Sequence, residues 1–142
     1  MCIHNIHNLF KSTISIAALI LIGLSSAQAQ ELPEQIAYEF FKQFQGGAID
    51  QAFDRLLKGS SLEKTDPMGV MRIRNEIKSM ATAFGKMVDS ELIEKTPIGR
   101  RSVKLVYLQN LQLRPLTWIF YFYNTENRWT LTLFTYNGQY QY

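Results

Sequence analysis

The sequence is poor in the residues that carry most side-chain chemistry. Its only cysteine is Cys2 and its only histidines are His4 and His7, so beyond residue 7 the chain has neither. This excludes thiolate nucleophiles, disulfides and metals held by Cys or His from everything downstream. It also removes the side chain best suited to moving protons near neutral pH. Charge of one sign is scarce as well: fifteen Lys and Arg against twelve Asp and Glu leave a net +3, with acids and bases interspersed. So weak a balance gives no footing for nucleic-acid binding. Nor is there an apolar run long enough to stay in a membrane. The stretch Ile14 to Leu24 would rise only about 17 Å as a helix, against a hydrocarbon core of roughly 30 Å.

That stretch has another use. It follows Lys11 and precedes Ala27-Gln-Ala29, small side chains at the spacing a signal peptidase accepts. The layout is that of a secretory signal peptide spanning residues 1–29, cleaved after Ala29, with no stable membrane insertion afterwards. Cys2 precedes the apolar run, which argues against lipidation. Cleavage would discard Cys2, His4, His7 and Lys11 and leave residues 30–142, one domain of 113 residues with a net charge of +2, in the periplasm or outside the cell. Without disulfides such a domain has to be held by its core, a partner or a ligand. Seventeen of the eighteen aromatic residues lie in it, enough apolar area to build that core.

Pro33 suits the first turn of a helix, and Leu32, Ile36, Phe40 and Phe44 recur at four-residue spacing with Ala37 and Phe41 beside them. Gly46-Gly47 ends this helix; Ala48, Ala52, Phe53, Leu56 and Leu57 mark a second, stopping at Gly59. Ser60 to Pro67 is polar, with Asp66 placed to cap and Pro67 to open a third helix. Its stripe runs Val70, Ile73, Ile77, Met80, Phe84 and Val88, the clearest helical period in the chain. The period then changes to two. Strands are predicted at Ser90–Thr96, Ser102–Asn110, Leu116–Tyr123 and Trp129–Tyr136, with turns at Pro97-Ile-Gly99 and Asn124-Thr-Glu-Asn127. Helices first and an antiparallel meander second is an α+β layout with helices over one sheet face.

In the third strand Trp118, Phe120 and Phe122 share one face and Ile119, Tyr121 and Tyr123 the other, so neither is polar. In the fourth, alternation sets Trp129, Leu131 and Leu133 against Thr130, Thr132 and Phe134. A meander usually wets one face. The outer apolar face calls for a curl of the sheet, for cover by the C-terminal tail Gly138–Tyr142, or for a second copy of the chain. A homodimer through the outer face is the favoured account.

The helical front with Phe40-Phe41 and Gly46-Gly47-Ala48, the phrase Ala52-Phe-Asp-Arg-Leu-Leu57, and the closing Trp118-Ile-Phe-Tyr-Phe-Tyr and Arg128-Trp-Thr-Leu-Thr-Leu-Phe resemble the nuclear-transport-factor-two-like (NTF2-like), or ketosteroid-isomerase-like, superfamily. Its small exported bacterial members of unassigned function are the nearest in kind. The resemblance covers nearly all of residues 30–142. It implies N-terminal helices packed on a curved antiparallel sheet that forms a cone, often around an apolar pocket and often in a dimer. The implied lining is Ile77, Met80 and Phe84 of the third helix with Tyr107, Trp118, Phe120, Trp129 and Leu131 of the sheet. A one-residue error of phase would exchange the sheet residues for their neighbours.

Enzymatic members of that superfamily work with a pocket carboxylate, a His or a pair of tyrosines. Here only a carboxylate raised in pKa by burial, acting with a tyrosine, could serve. The candidates Asp89, Glu91, Glu94, Tyr107, Tyr121 and Tyr123 make no active site by spacing alone. Asp50 and Asp54 share a helix face, but Arg55 and Lys58 beside them favour a charged surface over a metal site. Ser60-Ser61 has no His partner, Gly46-Gly47 follows a helix rather than a strand, and Arg100-Arg101 reads as a solvated turn. No catalytic residue, metal or cofactor is assigned. The reading favoured is an exported, non-enzymatic domain binding a small apolar ligand, a peptide or an envelope protein. A lyase or isomerase of the ketosteroid-isomerase type and a structural homodimer with a filled cavity are the alternatives.

Overall fold

The computed structural model describes residues 29–138. The predicted leader, with Cys2, His4 and His7, and the tail Gln139–Tyr142 lie outside the described residues, Ala29 and Gly138 apart. Four helices precede four strands: α1 (Pro33–Gln45), α2 (Ile49–Leu56), α3 (Leu62–Thr65), α4 (Pro67–Phe84), β1 (Met87–Ile98), β2 (Ser102–Leu111), β3 (Pro115–Thr125) and β4 (Arg128–Asn137).

The helix boundaries follow local chemistry. Pro33 occupies the first turn of α1, and the Gln35 side chain accepts from the Leu32 N–H at 2.8 Å. Gly47, at φ +81°, takes the left-handed conformation that turns the chain into α2. Asp66 caps α4 by accepting from the Gly69 N–H at 3.0 Å. The polar stretch before it holds one extra turn, α3. At its far end α4 stops at Gly85, whose φ of +85° no side-chain-bearing residue adopts cheaply. The predicted stripe therefore ends at Phe84, and Val88 belongs to β1 and is 54% exposed. Its assignment to the helical core is corrected by that glycine.

The sheet is antiparallel in the order β1-β2-β3-β4. It is not curled or closed into a cone, and the cone implied by the resemblance is corrected here. Both end strands keep free edges, and from Asp89 onward no β1 residue is buried. The reason lies in where the irregularities fall. Curvature enters a sheet at bulges, and the central pair β2·β3 runs in unbroken register from Ser102↔Tyr123 to Asn110↔Pro115. The shifts sit at Val88 and Ile93 on one edge strand and at Thr132 on the other. There they disrupt the edges, which discourages pairing with a further strand.

The Thr132 bulge also changes the predicted phase of β4. Leu131 pairs with Phe122 and Leu133 with Tyr121, so Thr132 is the extra residue, its hydroxyl donating to the Tyr121 carbonyl at 3.1 Å. Leu131 points into the core, Leu133 out, and Phe134 in again, at 1%, 53% and 6% exposure. Strict alternation had grouped Leu133 with Leu131 and set Phe134 against them.

The core lies between α1 with α2 and the inner face of β2 and β3. Phe40 is fully buried and meets the rings of Phe41, Phe53, Trp118 and Phe120 edge-on, at centroid distances of 5.0, 5.4, 5.2 and 5.9 Å. Leu116, Trp118, Phe120 and Phe122 of β3 and Val103, Leu105 and Tyr107 of β2 face it, as their alternation predicts. Among the described residues the one buried polar side chain is Gln109, which accepts from the Trp118 indole N–H at 2.8 Å and donates to Met87 Sδ at 3.4 Å. Helix α4 contributes only Val70 and Ile77 to the fully buried set.

Candidate functional site

A cleft of about 850 Å³ opens among the described residues where the chain enters α1, where α2 ends and where β4 begins. Its apolar floor is Ile36, Leu56 and Leu131, with the half-buried Trp129 on the wall. Its rim is charged. Arg55 of α2 is paired with Glu31, which precedes α1. Lys58 and Arg128 stand beside it with no ion pair among the described residues. Two backbone features bring these cations together. Gly59 turns the chain at φ +78°, and a Cβ placed on it would lie 3.5 Å from the Arg128 guanidinium carbon, so β4 passes directly over the end of α2. Glu126 and Asn127 both take positive φ, 51° and 59°, in the tight β3–β4 turn, a conformation matched to the twist of paired strands. That turn delivers Asn127 and Arg128 to the cleft.

Of the eight side chains expected to line an apolar pocket, Trp129 and Leu131 line this cleft. Ile77, Tyr107, Trp118 and Phe120 are buried in the core, and Met80 and Phe84 pack against it. Trp118 stacks on Phe120 at 5.7 Å and meets the tilted ring of Tyr136 at 5.5 Å. In the sequence Arg55 and Lys58 read as ordinary helix charge, and Arg128 only as the start of the closing strand. The local signal was a base before a glycine, Lys58-Gly59, and a base before an indole, Arg128-Trp129. Nothing in sequence ties residues 59 and 128 together.

The candidate acids and tyrosines are dispersed. Asp89 and Glu91 are exposed and both accept from the Asn110 side-chain amide, at 2.6 and 2.9 Å. Glu94 pairs with Lys104 at 2.7 Å, a contact that holds its carboxyl below the usual range. Tyr121 and Tyr123 belong to the outer face. Burial pushes the Tyr107 hydroxyl up to about 12, and the nearby Glu34 carboxylate adds to this. Glu34 itself is paired with Lys95 through one oxygen, while the other is buried without a hydrogen-bond partner. Neither Tyr107 nor Glu34 lines any of the three clefts described. Asp50 and Asp54, the helix-face carboxylates, are engaged separately by α4, by Lys78 at 2.7 Å and by Arg74 at 2.8 Å. The Ser60 hydroxyl donates to the Leu131 carbonyl at 2.6 Å.

No protein-family model matches the sequence, and no curated protein matches it. The structure does have a likeness. Helices leading into an antiparallel sheet, packed through one aromatic layer, form an α+β fold. A crystal structure from Campylobacter jejuni, provisionally named an NTF2-like transpeptidase, is similar to this chain with a TM-score of 0.56 and 21% identity, over 72% of this chain and 99% of that one. At that identity the likeness is one of fold.

Proposed function

We propose that the chain is an exported binding domain of a bacterial envelope, not a catalyst, and that its ligand surface is the cleft between α1, α2 and β4. The observation that carries this reading is the cleft itself. Its volume, about 850 Å³ with Ala29 and Gln30 in its lining, lies within the range that accommodates small molecules, and an apolar floor with a few convergent polar groups is the usual make-up of such sites. The absence of His and Cys beyond residue 7 supports the non-enzymatic half of the reading. Acyl transfer of the kind named for the Campylobacter protein needs a nucleophile beside a base, and Ser60 spends its proton on a backbone carbonyl. Native mass spectrometry of the purified protein tests the proposal. A retained small molecule, lost on Trp129→Ala with the fold intact, is the expected result; a protein that is empty and indifferent to a broad metabolite and lipid screen overturns it.

A second reading concerns the outer sheet face and is compatible with the first. Val106, Leu108, Ile119 and Tyr121 are only half-buried there and Leu133 is exposed, a contiguous apolar surface of the kind that pairs subunits. A homodimer through this face is the proposed assembly.

A further inference from the structure

The rim of the cleft carries more positive than negative charge, and its arrangement points to the chemistry of the occupant. Arg55 is neutralised by Glu31. Lys58 and Arg128 have no such partner among the described residues, yet the Arg128 guanidinium is held against Gly59, the residue that follows Lys58. Two cations at one rim repel each other in the free protein, and an anion between them relieves that repulsion. Arg adds a planar fork suited to a carboxylate. The same cleft is lined by the half-buried Trp129, with the buried Leu131, Leu56 and Ile36 behind it.

We infer that the cleft takes an anionic amphiphile, with a carboxylate held between Lys58 and Arg128 and an apolar body laid over Trp129. This rests on the binding reading above and adds the sign of the ligand's charge. A purely apolar ligand would leave both cations unpaired at the mouth; a cationic one would meet repulsion from them. The apolar body contributes affinity through buried area, and the carboxylate contributes orientation and selectivity.

The test compares sodium decanoate with decyltrimethylammonium, which share an alkyl chain and differ in the sign of the head group, both below their micelle concentrations. The indole N–H signals of Trp129 and Trp118 are followed by nuclear magnetic resonance and assigned with Trp129→Phe. Decanoate is expected to shift the Trp129 signal saturably, leave that of the buried Trp118 nearly unmoved, and bind at least tenfold more tightly than the cation. The Lys58→Gln, Arg128→Gln double variant should abolish that preference while its other signals stay in place, and the two single variants should each reduce it. Raising the salt concentration should weaken decanoate and not the cationic probe. Equal binding of the two probes, or a preference that survives in the double variant, overturns the anionic assignment and leaves the cleft as a binding surface. No shift at Trp129 with either probe overturns both.

Discussion

At the scale of single residues the core is apolar with one polar exception, and that exception makes a sharp prediction. Gln109 is wholly buried, and its carbonyl oxygen is the acceptor for the Trp118 indole N–H. Replacing it with leucine leaves that donor unpaired in an apolar setting, at a cost of about 1–3 kcal/mol. Trp118→Phe also destabilises, through lost volume. Because the two side chains share one hydrogen bond, the losses should not add: in a urea-melt double-mutant cycle the coupling should reach about 1 kcal/mol, and strictly additive losses would show the bond to be worth nothing. Tyr107 gives a prediction in pH. Its hydroxyl ionises near 10 when unfolded and is pushed up to about 12 by burial in the fold. Below pH 10 both states are neutral and the group has no effect. Above it the unfolded chain releases a proton that the folded chain keeps, so stability falls as pH rises from 10 to 12. Tyr107→Phe should move the alkaline unfolding midpoint upward and leave the melt at pH 7 little changed. An alkaline midpoint unmoved by the substitution would remove Tyr107 from that transition.

At the scale of elements, what could be read from sequence and what could not divide along physical lines. The starts of α1 and α4 are written in Pro33 and in Asp66-Pro67, and the inner faces of β2 and β3 in a clean period of two, because each depends on neighbours within one turn or one strand. The bulge at Thr132 and the break at Gly85 do not show in the periodicity. A bulge depends on the partner strand, and Val88 happens to fall at helical spacing from Phe84 although a glycine separates them. The openness of the sheet was likewise invisible, since it turns on which edges fail to pair. The site divides in the same way. Trp129 and Leu131 belong to the lining that the resemblance implies, but Lys58 and Arg128 are brought together only by the crossing of β4 over the end of α2. The corrected phases are testable. Leu133→Asp and Val88→Asp introduce charges at exposed positions and should leave the circular dichroism spectrum native, Val88→Asp changing the melt by no more than about 0.5 kcal/mol. Phe134→Asp buries an unpaired charge and should cost more than about 3 kcal/mol, enough to unfold a marginal domain. The opposite ranking of Leu133→Asp and Phe134→Asp would restore the unbulged strand.

At the scale of the molecule the two sheet faces have different obligations. The inner one is covered by α1 and α2. The outer one exposes Leu133 and leaves Val106, Leu108, Ile119 and Tyr121 in one patch. Charge lies at its ends: Asp89 and Glu91 at the start of β1, and Arg100-Arg101 at the β1–β2 hairpin, about a strand length away. A two-fold axis between two such faces, perpendicular to the strands, reverses one copy over the other. It sets the acidic end of each sheet against the basic end of its partner and apolar patch against apolar patch, the self-complementarity an isologous interface requires. The strands of the two copies then stack face to face while the bulged edges stay at the rim. Sedimentation should accordingly give about twice the protomer mass at micromolar concentration. Ile119→Arg, at the centre of the patch, should halve that mass with the fold intact, since the charge faces water in the monomer and an apolar partner in the dimer. Arg100→Glu with Arg101→Glu should weaken association by setting like charges together. Restoring it with Asp89→Lys and Glu91→Lys on the same chain would fix the orientation of the pair as well as its existence. A wild-type monomer at high micromolar concentration ends the proposal, and a dimer indifferent to Ile119→Arg moves it to another face.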